Sequence, residues 1–282
     1  MSDPAFDLAA YLSRIALAEA PAADADGLAV LQRAHRMAIP FENLDVLLGR
    51  GVSLAPDAVF DKLVRHRRGG YCFEQDQLFG RALAEIGFVV RPLLARVWLG
   101  TADDGPPPAR THTLSLVELA DGPWIADAGF GGAYTPPMPL VDGAEAVTAD
   151  GAVHRLSRDP AHGWILTRDG DLHATDARGV PQAGGGPIRQ YSFTLDPVWP
   201  ADLDQCNHHI ATVPNHRFTT MAIVSIVLPR GFASLTDRHY RRRSGTEAIT
   251  TDLTDPRVYR MRLSLVFGID LTAEEVTALG LF

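Results

Sequence analysis

The stretch Arg67-Arg68-Gly69-Gly70-Tyr71-Cys72-Phe73-Glu74-Gln75-Asp76 places a cysteine just beyond a Gly-Gly break. Leu78, Phe79, Ala82, Leu83 and Ile86 follow at helical spacing, and Gly87 stands where a helix would stop. Cys72 therefore heads an amphipathic helix. A thiol there meets the partial positive charge of a helix N-terminus, which favours the thiolate, and Arg67 and Arg68 add positive charge on the approach. Such a cysteine is a candidate nucleophile. A small, buried, inert cysteine is the plain alternative, and position alone leaves the two readings even.

Upstream, Leu8, Tyr11, Leu12, Ile15 and Ala16 recur at helical spacing, as do Leu28, Leu31 and Ala38 with His35. Val59, Phe60, Leu63 and Val64 mark a further buried face entered at Pro56. The first third thus reads as a helical bundle, with His35 a hydrogen-bonded core or boundary residue. From Phe88 the texture changes to short apolar runs: 89–99, 111–119, 124–128 and 164–167. Asp142-Gly143, Asp150-Gly151 and Asp169-Gly170 punctuate this region, the pattern of a small antiparallel sheet or barrel. Gly184-Gly185-Gly186-Pro187 reads as a turn. The last third is expected to hold strands over 219–228 and 257–267, then a terminal helix from near Thr272.

Two segments weigh on the cysteine. Arg110-Thr111-His112-Thr113-Leu114 and Trp124-Ile125-Ala126-Asp127-Ala128 read as strands, and Asp121-Gly122 between them is a hairpin signal. His112 and Asp127 can then point to one face of neighbouring strands, supplying a base and its orienting carboxylate for Cys72. Backbone N–H groups would form the oxyanion hole, that of Cys72 among them.

The bulk numbers bound the alternatives. A chain of 282 residues, 46% hydrophobic and 21% charged, suits two or three packed units. A net charge of −8 argues against a general nucleic-acid binder. No apolar run approaches the ~20 residues of a spanning helix, and Met1-Ser2-Asp3-Pro4 does not open a signal peptide. With Cys72 and Cys206 the only cysteines, no disulfide framework is expected, and a reducing compartment suits a working thiolate. His208 and His209 are adjacent rather than at metal-ligand spacing, and 129–132 forms no phosphate-binding glycine loop. The basic run 238–243 reads as a solvated loop or strand end, and Glu42-Asn43 as turn or site-shaping residues.

Taken together, the chain resembles the arylamine N-acetyltransferases. The resemblance rests on Arg68-Gly69-Gly70 before Cys72, on Thr111-His112, and on Asp127 leading into Gly129-Phe130-Gly131. It rests also on Ile39-Pro40-Phe41-Glu42-Asn43-Leu44 upstream and on Asn207-His208-His209 with Pro214 and Phe218 downstream. It implies an α+β fold: a helical bundle (1–87) carrying Cys72, an antiparallel β-barrel (88–190) carrying His112 and Asp127, and an α/β lid (191–282). A cysteine-protease-like Cys-His-Asp triad would lie where the first two meet. The implied reaction is acetyl transfer from acetyl-coenzyme A, a co-substrate, to the nitrogen of arylamines, arylhydrazines or hydrazides. It would run by a ping-pong mechanism through an acetyl-Cys72 thioester, without a metal. Phe41, Val97, Phe130 and Phe218 would line the acceptor slot, and Thr111, Gly129, Gly131 and Gly132 the coenzyme A cleft. The implied partners are small molecules, with no nucleic acid or membrane, in the cytoplasm; neither length nor composition bears on oligomeric state.

One residue departs from that pattern. Asp76, four residues after Cys72, stands where the family usually carries Asn. An i, i+4 pair shares a helix face, so an ionised Asp76 facing the sulfur would oppose the thiolate. Facing solvent, or paired with Arg67 or Arg68, it would matter little, and that is the expectation. Rival readings keep the triad but change the reaction, to an amide synthase, a longer-chain acyltransferase or a hydrolase, or drop catalysis for binding alone. The short His112-to-Asp127 separation and the Gly-Phe-Gly loop favour the acetyltransferase pattern over a hydrolase.

Overall fold

The computed structural model describes residues 6–101, 105–169 and 186–282. Met1 to Pro4, Gly170 and the Gly184-Gly185 half of the expected turn lie outside these. The fold is α+β, with a bundle of helices, a nearly closed antiparallel β-barrel, and a second sheet packed with helices.

The bundle holds α1 (Leu8–Arg14), α2 (Ala25–Ala38), the short α3 (Leu44–Leu47) and α4 (Pro56–Phe60). Helix α4 continues as a π-helical turn over Asp61–Arg65, and α5 (Cys72–Ile86) follows. The expected apolar faces form its core: Tyr11, Leu28, Leu31, Leu63, Phe79 and Leu83 are fully buried. Each such side chain contributes about 1.5–3 kcal/mol by leaving water. Helix α1 stops sooner than its pattern predicts. Ile15 is already its C-cap and Ala16 takes φ 58°, outside the helix. Gly87 ends α5 with φ 111°, as the sequence indicates.

His35 sits in this core with no exposed surface. Gln75 offers it a carbonyl oxygen 2.7 Å from Nε2, because the Gln75 amide donates to the Pro40 and Gly70 carbonyls. Nε2 therefore carries the proton, and Nδ1 accepts from the Tyr11 hydroxyl at 2.9 Å. Burial lowers the His35 pKa from 6.5 to about 3. The unfolded chain thus takes up the proton first. Stability from this residue is complete above about pH 6.5 and drains away as pH falls toward 3, by on the order of 5 kcal/mol in all, roughly half of it by pH 4.5. Urea unfolding at pH 7 and pH 4.5 should show this loss, and His35→Gln should flatten it; an equal acid slope in both proteins would refute the assignment.

The barrel strands are β2 (Val89–Val97), β3 (Arg110–Leu119), β4 (Gly122–Ala126), β5 (Met138–Pro139), β6 (Glu145–Val147), β7 (Val153–Asp159), β8 (Gly163–Asp169) and β9 (Ile188–Phe193). Their spatial order is β5-β4-β3-β2-β9-β8-β7-β6, every pair antiparallel. Leu93, Leu114, Leu116, Leu156, Leu166 and Tyr191 fill its interior. After β9 come α6 (Pro200–Thr212), α7 (Arg217–Thr220) and the strands β10 (Ile223–Leu228), β11 (Gly231–Thr236), β12 (His239–Ser244) and β13 (Glu247–Asp252). Helices α8 (Pro256–Phe267) and α9 (Ala273–Ala278) close the chain.

Two expectations for the last third need correction. Residues 257–267 form helix α8, not a strand. Asp255 caps it by accepting from the Arg257 N–H at 2.7 Å, Pro256 occupies its first turn, and Tyr259, Leu263 and Phe267 are buried at a four-residue interval. The strand expected from residue 219 begins only at Ile223, because Thr219 and Thr220 complete α7. The basic run contributes to β12.

One early strand belongs to the late sheet. Phe41–Glu42 (β1) pairs with β10, Phe41 opposite Ser225, and Phe41 also bridges to Gly70. Asn43 tightens that junction: its amide donates at 2.8 Å to the Phe218 and Met221 carbonyls and its oxygen accepts from the Ile223 N–H. Bundle, nucleophile turn and third unit are thereby joined two residues before Cys72.

Candidate active site

The turn into α5 is built by backbone contacts. A Cβ on Gly69 would lie 2.2 Å from the Pro40 carbonyl oxygen, and one on Gly70 would lie 2.6 Å from the Glu74 carboxylate, so neither position admits a side chain. Glu74 accepts from the Tyr71 N–H at 3.1 Å, closing the first turn, and holds Lys62 at 2.7 Å. Arg14, which sequence patterning does not single out, donates to the carbonyls of Ala38, Leu63, Arg67 and Arg68 and so pins the approach. The Tyr71 hydroxyl donates to Asn207, which in turn reaches the Val52 carbonyl at 3.0 Å. Of the Asn207-His208-His209 motif only the asparagine is buried.

Cys72 is 3% exposed. Its thiol points at the Thr111 carbonyl, 3.7 Å away, and the nearby backbone N–H groups of Thr113 and Phe73 favour its ionised form. Burial nevertheless pushes the thiol well above its ordinary value, and negative charge on Asp76 or Asp127 would push the same way. The arginines expected to help do not approach it. Arg68 pairs with Glu42 at 2.7 Å and with Asp45 at 3.2 Å, and Arg67 is exposed. Desolvation outweighs the helix N-terminus here, so a thiolate needs a proton acceptor alongside.

His112 lines the same cavity as Cys72. Its Nε2 lies 2.8 Å from Asp127 Oδ2, both residues being 2% exposed. Asp127 stands one residue beyond the end of β4, not within it. The last pair of the ladder is Ser115 with Ala126, and the chain then turns so that the Gly129 N–H donates to Asp127 Oδ1 at 3.0 Å. Gln32 accepts from the Asp127 N–H at 2.8 Å and anchors to the Thr135 carbonyl at 2.7 Å, a support invisible from sequence spacing. Its partner His112 holds Asp127 below the usual carboxylate range against the opposing effect of burial. The imidazole is held between the rings of Phe130 and Tyr191, with centroids 5.1 and 5.2 Å away.

A cavity of about 180 Å³ opens above these groups. Cys72, Thr111, His112, Gly129, Phe41, Val97, Phe130 and Phe218 all line it, joined by Leu99, His216 and Arg217, which sequence reading did not propose. Gly131 and Gly132 stand apart from its wall. Gly131 packs beneath the Phe41 ring, and the Gly132 N–H donates to Ser225 at 2.8 Å. The walls thus come from segments far apart in sequence: Phe41 from β1, Phe130 from the turn after β4, and Phe218 from α7. Phe41 and Phe218 are 5.9 Å apart, centre to centre. An apolar slot of this size fits one flat ring beside a thiol and an imidazole.

Asp76 overturns the expectation of a solvated or arginine-paired side chain. It is 6% exposed, accepts from the Ala128 N–H at 3.1 Å through Oδ1, and leaves Oδ2 buried with no partner. Among the described residues no group of His, Cys, Asp and Glu is arranged to hold a metal, and no helix is long and apolar enough to cross a membrane.

Comparison with known proteins places this arrangement. A family model described as N-acetyltransferase matches residues 24–276. Solved relatives share the whole architecture: the Salmonella typhimurium arylamine N-acetyltransferase superposes with a TM-score of 0.86 at 33% identity, covering 98% of each chain. The Mycobacterium marinum enzyme in complex with CoA does so with a TM-score of 0.84 at 31% identity, over 97% of this chain and 98% of that one. In sequence, the Mycolicibacterium smegmatis arylamine N-acetyltransferase is 39% identical over 95% of this chain and 93% of its own length. The chain belongs to the arylamine N-acetyltransferase family and is an acyltransferase.

Proposed function

We propose that the protein transfers acetyl from acetyl-coenzyme A to the nitrogen of arylamines, arylhydrazines or hydrazides through an acetyl-Cys72 thioester. The observation that carries this reading is the meeting of Cys72 with the His112–Asp127 pair on one apolar cavity. His112, whose Nε2 is taken by Asp127, accepts the thiol proton through Nδ1. The imidazolium so formed offsets the desolvation that would otherwise keep sulfur protonated. The thiolate attacks the acetyl carbonyl, its C–S bond to coenzyme A breaks, and His112 returns the proton to the departing thiolate. An amine then attacks acetyl-Cys72; its proton passes by way of His112 to the Cys72 sulfur, and the amide leaves. Backbone N–H groups beside the sulfur stand ready for the carbonyl oxygen as charge develops there.

Phe41, Val97, Phe130 and Phe218 would hold the acceptor ring, with Thr111 and Gly129 beside the thioester and Gly131 and Gly132 along the path of coenzyme A. Support for the donor comes from the relative solved with CoA. Incubation with acetyl-coenzyme A followed by intact-protein mass spectrometry is the test. One acetyl group should appear on Cys72 and vanish when an aniline is added. A reactive thiol that takes up no acetyl would exclude this donor and turn the reading toward another acyl thioester.

A further inference from the structure

The site holds a second buried carboxyl that the reaction above does not use. Asp76 lies one helical turn after Cys72, on the same face of α5. Its oxygens are unequally served: Oδ1 has the Ala128 N–H at 3.1 Å, and Oδ2 has no donor and no water-accessible surface. Gly129 packs so closely on this oxygen that a Cβ there would lie 2.4 Å from it. An ionised carboxylate requires donors on both oxygens when it is removed from water.

The charges around it favour the neutral form. Asp127 is the better served of the two, with the His112 ring nitrogen on Oδ2 and the Gly129 N–H on Oδ1. Arg36, from α2, donates to the Ala128 carbonyl at 3.3 Å and the Gly132 carbonyl at 3.4 Å, and its charge acts on both carboxyls together. Cys72 faces the same cluster, and a second anion there would hold its thiol protonated. On its other side Asp76 borders a cavity whose charged walls are Arg81, Arg91 and Asp204. Two carboxyl groups buried side by side do not both ionise readily.

We propose that Asp76 is a protonated positioning residue. It holds the Ala128 N–H, and with it the turn that carries Asp127, while adding no negative charge beside the nucleophile. Burial and the neighbouring Asp127 raise its pKa well above the usual carboxylate range, in keeping with this geometry. Cys72 can then form its ion pair with His112 against one carboxylate rather than two. The inference rests on the catalytic assignment of Cys72 but is tested without the acetyl donor.

Asp76→Asn replaces a neutral carboxyl by a neutral amide of the same shape, and two measurements decide. Infrared spectra at pH 7 should show a protonated-carboxyl band in the wild type that is diminished in D76N. Glu74, buried and raised to about 7, can add to this band, so only the part lost in the variant counts. Iodoacetamide labelling read on the Cys72 peptide, which keeps Cys206 out of the signal, should proceed at pH 7 within about threefold of the wild-type rate. Removing an ionised neighbour would instead speed it about tenfold per unit of thiol pKa. No change in the band, a labelling rate outside that range, or a variant that does not fold would each overturn the proposal. Normal labelling and spectra with no acetyl uptake would leave it standing and count against the donor alone.

Discussion

Cys72→Ser is expected to yield a folded protein whose acetyl transfer is slower by at least about 10³-fold, the scale of loss on removing a catalytic nucleophile. The sulfur lies at the head of α5 with the Thr111 carbonyl 3.7 Å away, and a hydroxyl fits that space. What changes is the acid strength of the nucleophile. A thiol of ordinary pKa ~8.5 can be ionised by an imidazole, whereas serine must be deprotonated during attack. Unfolding should therefore shift by less than about 1 kcal/mol while turnover collapses. Substantial turnover in this variant would remove the covalent intermediate from the mechanism.

The second large effect is expected at Gly129. A methyl group there would sit 2.6 Å from the Cys72 Cα, 2.9 Å from its carbonyl oxygen and 2.4 Å from Asp76 Oδ2. Two of these are backbone atoms of a helix start pinned by Arg14, Gln75 and Glu74, so the clash cannot be relieved by rotating a side chain. Gly129→Ala should lower stability by about 3 kcal/mol or more, toward the upper end for overpacking. It should also move the turn after β4 away from α5. Because the Gly129 N–H also donates to Asp127, the His112–Asp127 pair loses its support as well. Thermal unfolding and Cys72 labelling measured together would check this: a variant with wild-type melting and labelling would mean that the close approach is not kept in solution.

The reach of the sequence is clearest in the bundle and in the hairpin. Apolar residues every three or four positions, a Gly-Gly break before Cys72 and a glycine after Ile86 are local signals, and they mark α5 correctly at both ends. The Asp121-Gly122 turn likewise brings β3 and β4 together, so His112 and Asp127 were legible as neighbours. Local signals also misled. The run from Arg257 is rich in residues that suit strands, yet Asp255-Pro256 at one end and Gly268 at the other make it a helix. Those caps are local signals too, and they stand in the sequence on either side of the run.

By itself, then, the sequence determined the α+β fold, the family and the candidacy of Cys72, His112 and Asp127, because each rests on local spacing or on a motif of specific residue types. Only the tertiary structure decided the environment of the sulfur. Whether Arg68 faces Cys72 or Glu42, and whether Asp76 faces water or Asp127, depends on elements distant in the chain: β1, α2 and the turn after β4. Charge on a side chain is written in the sequence, but its effect is set by distance and by exclusion of water, and both are products of packing.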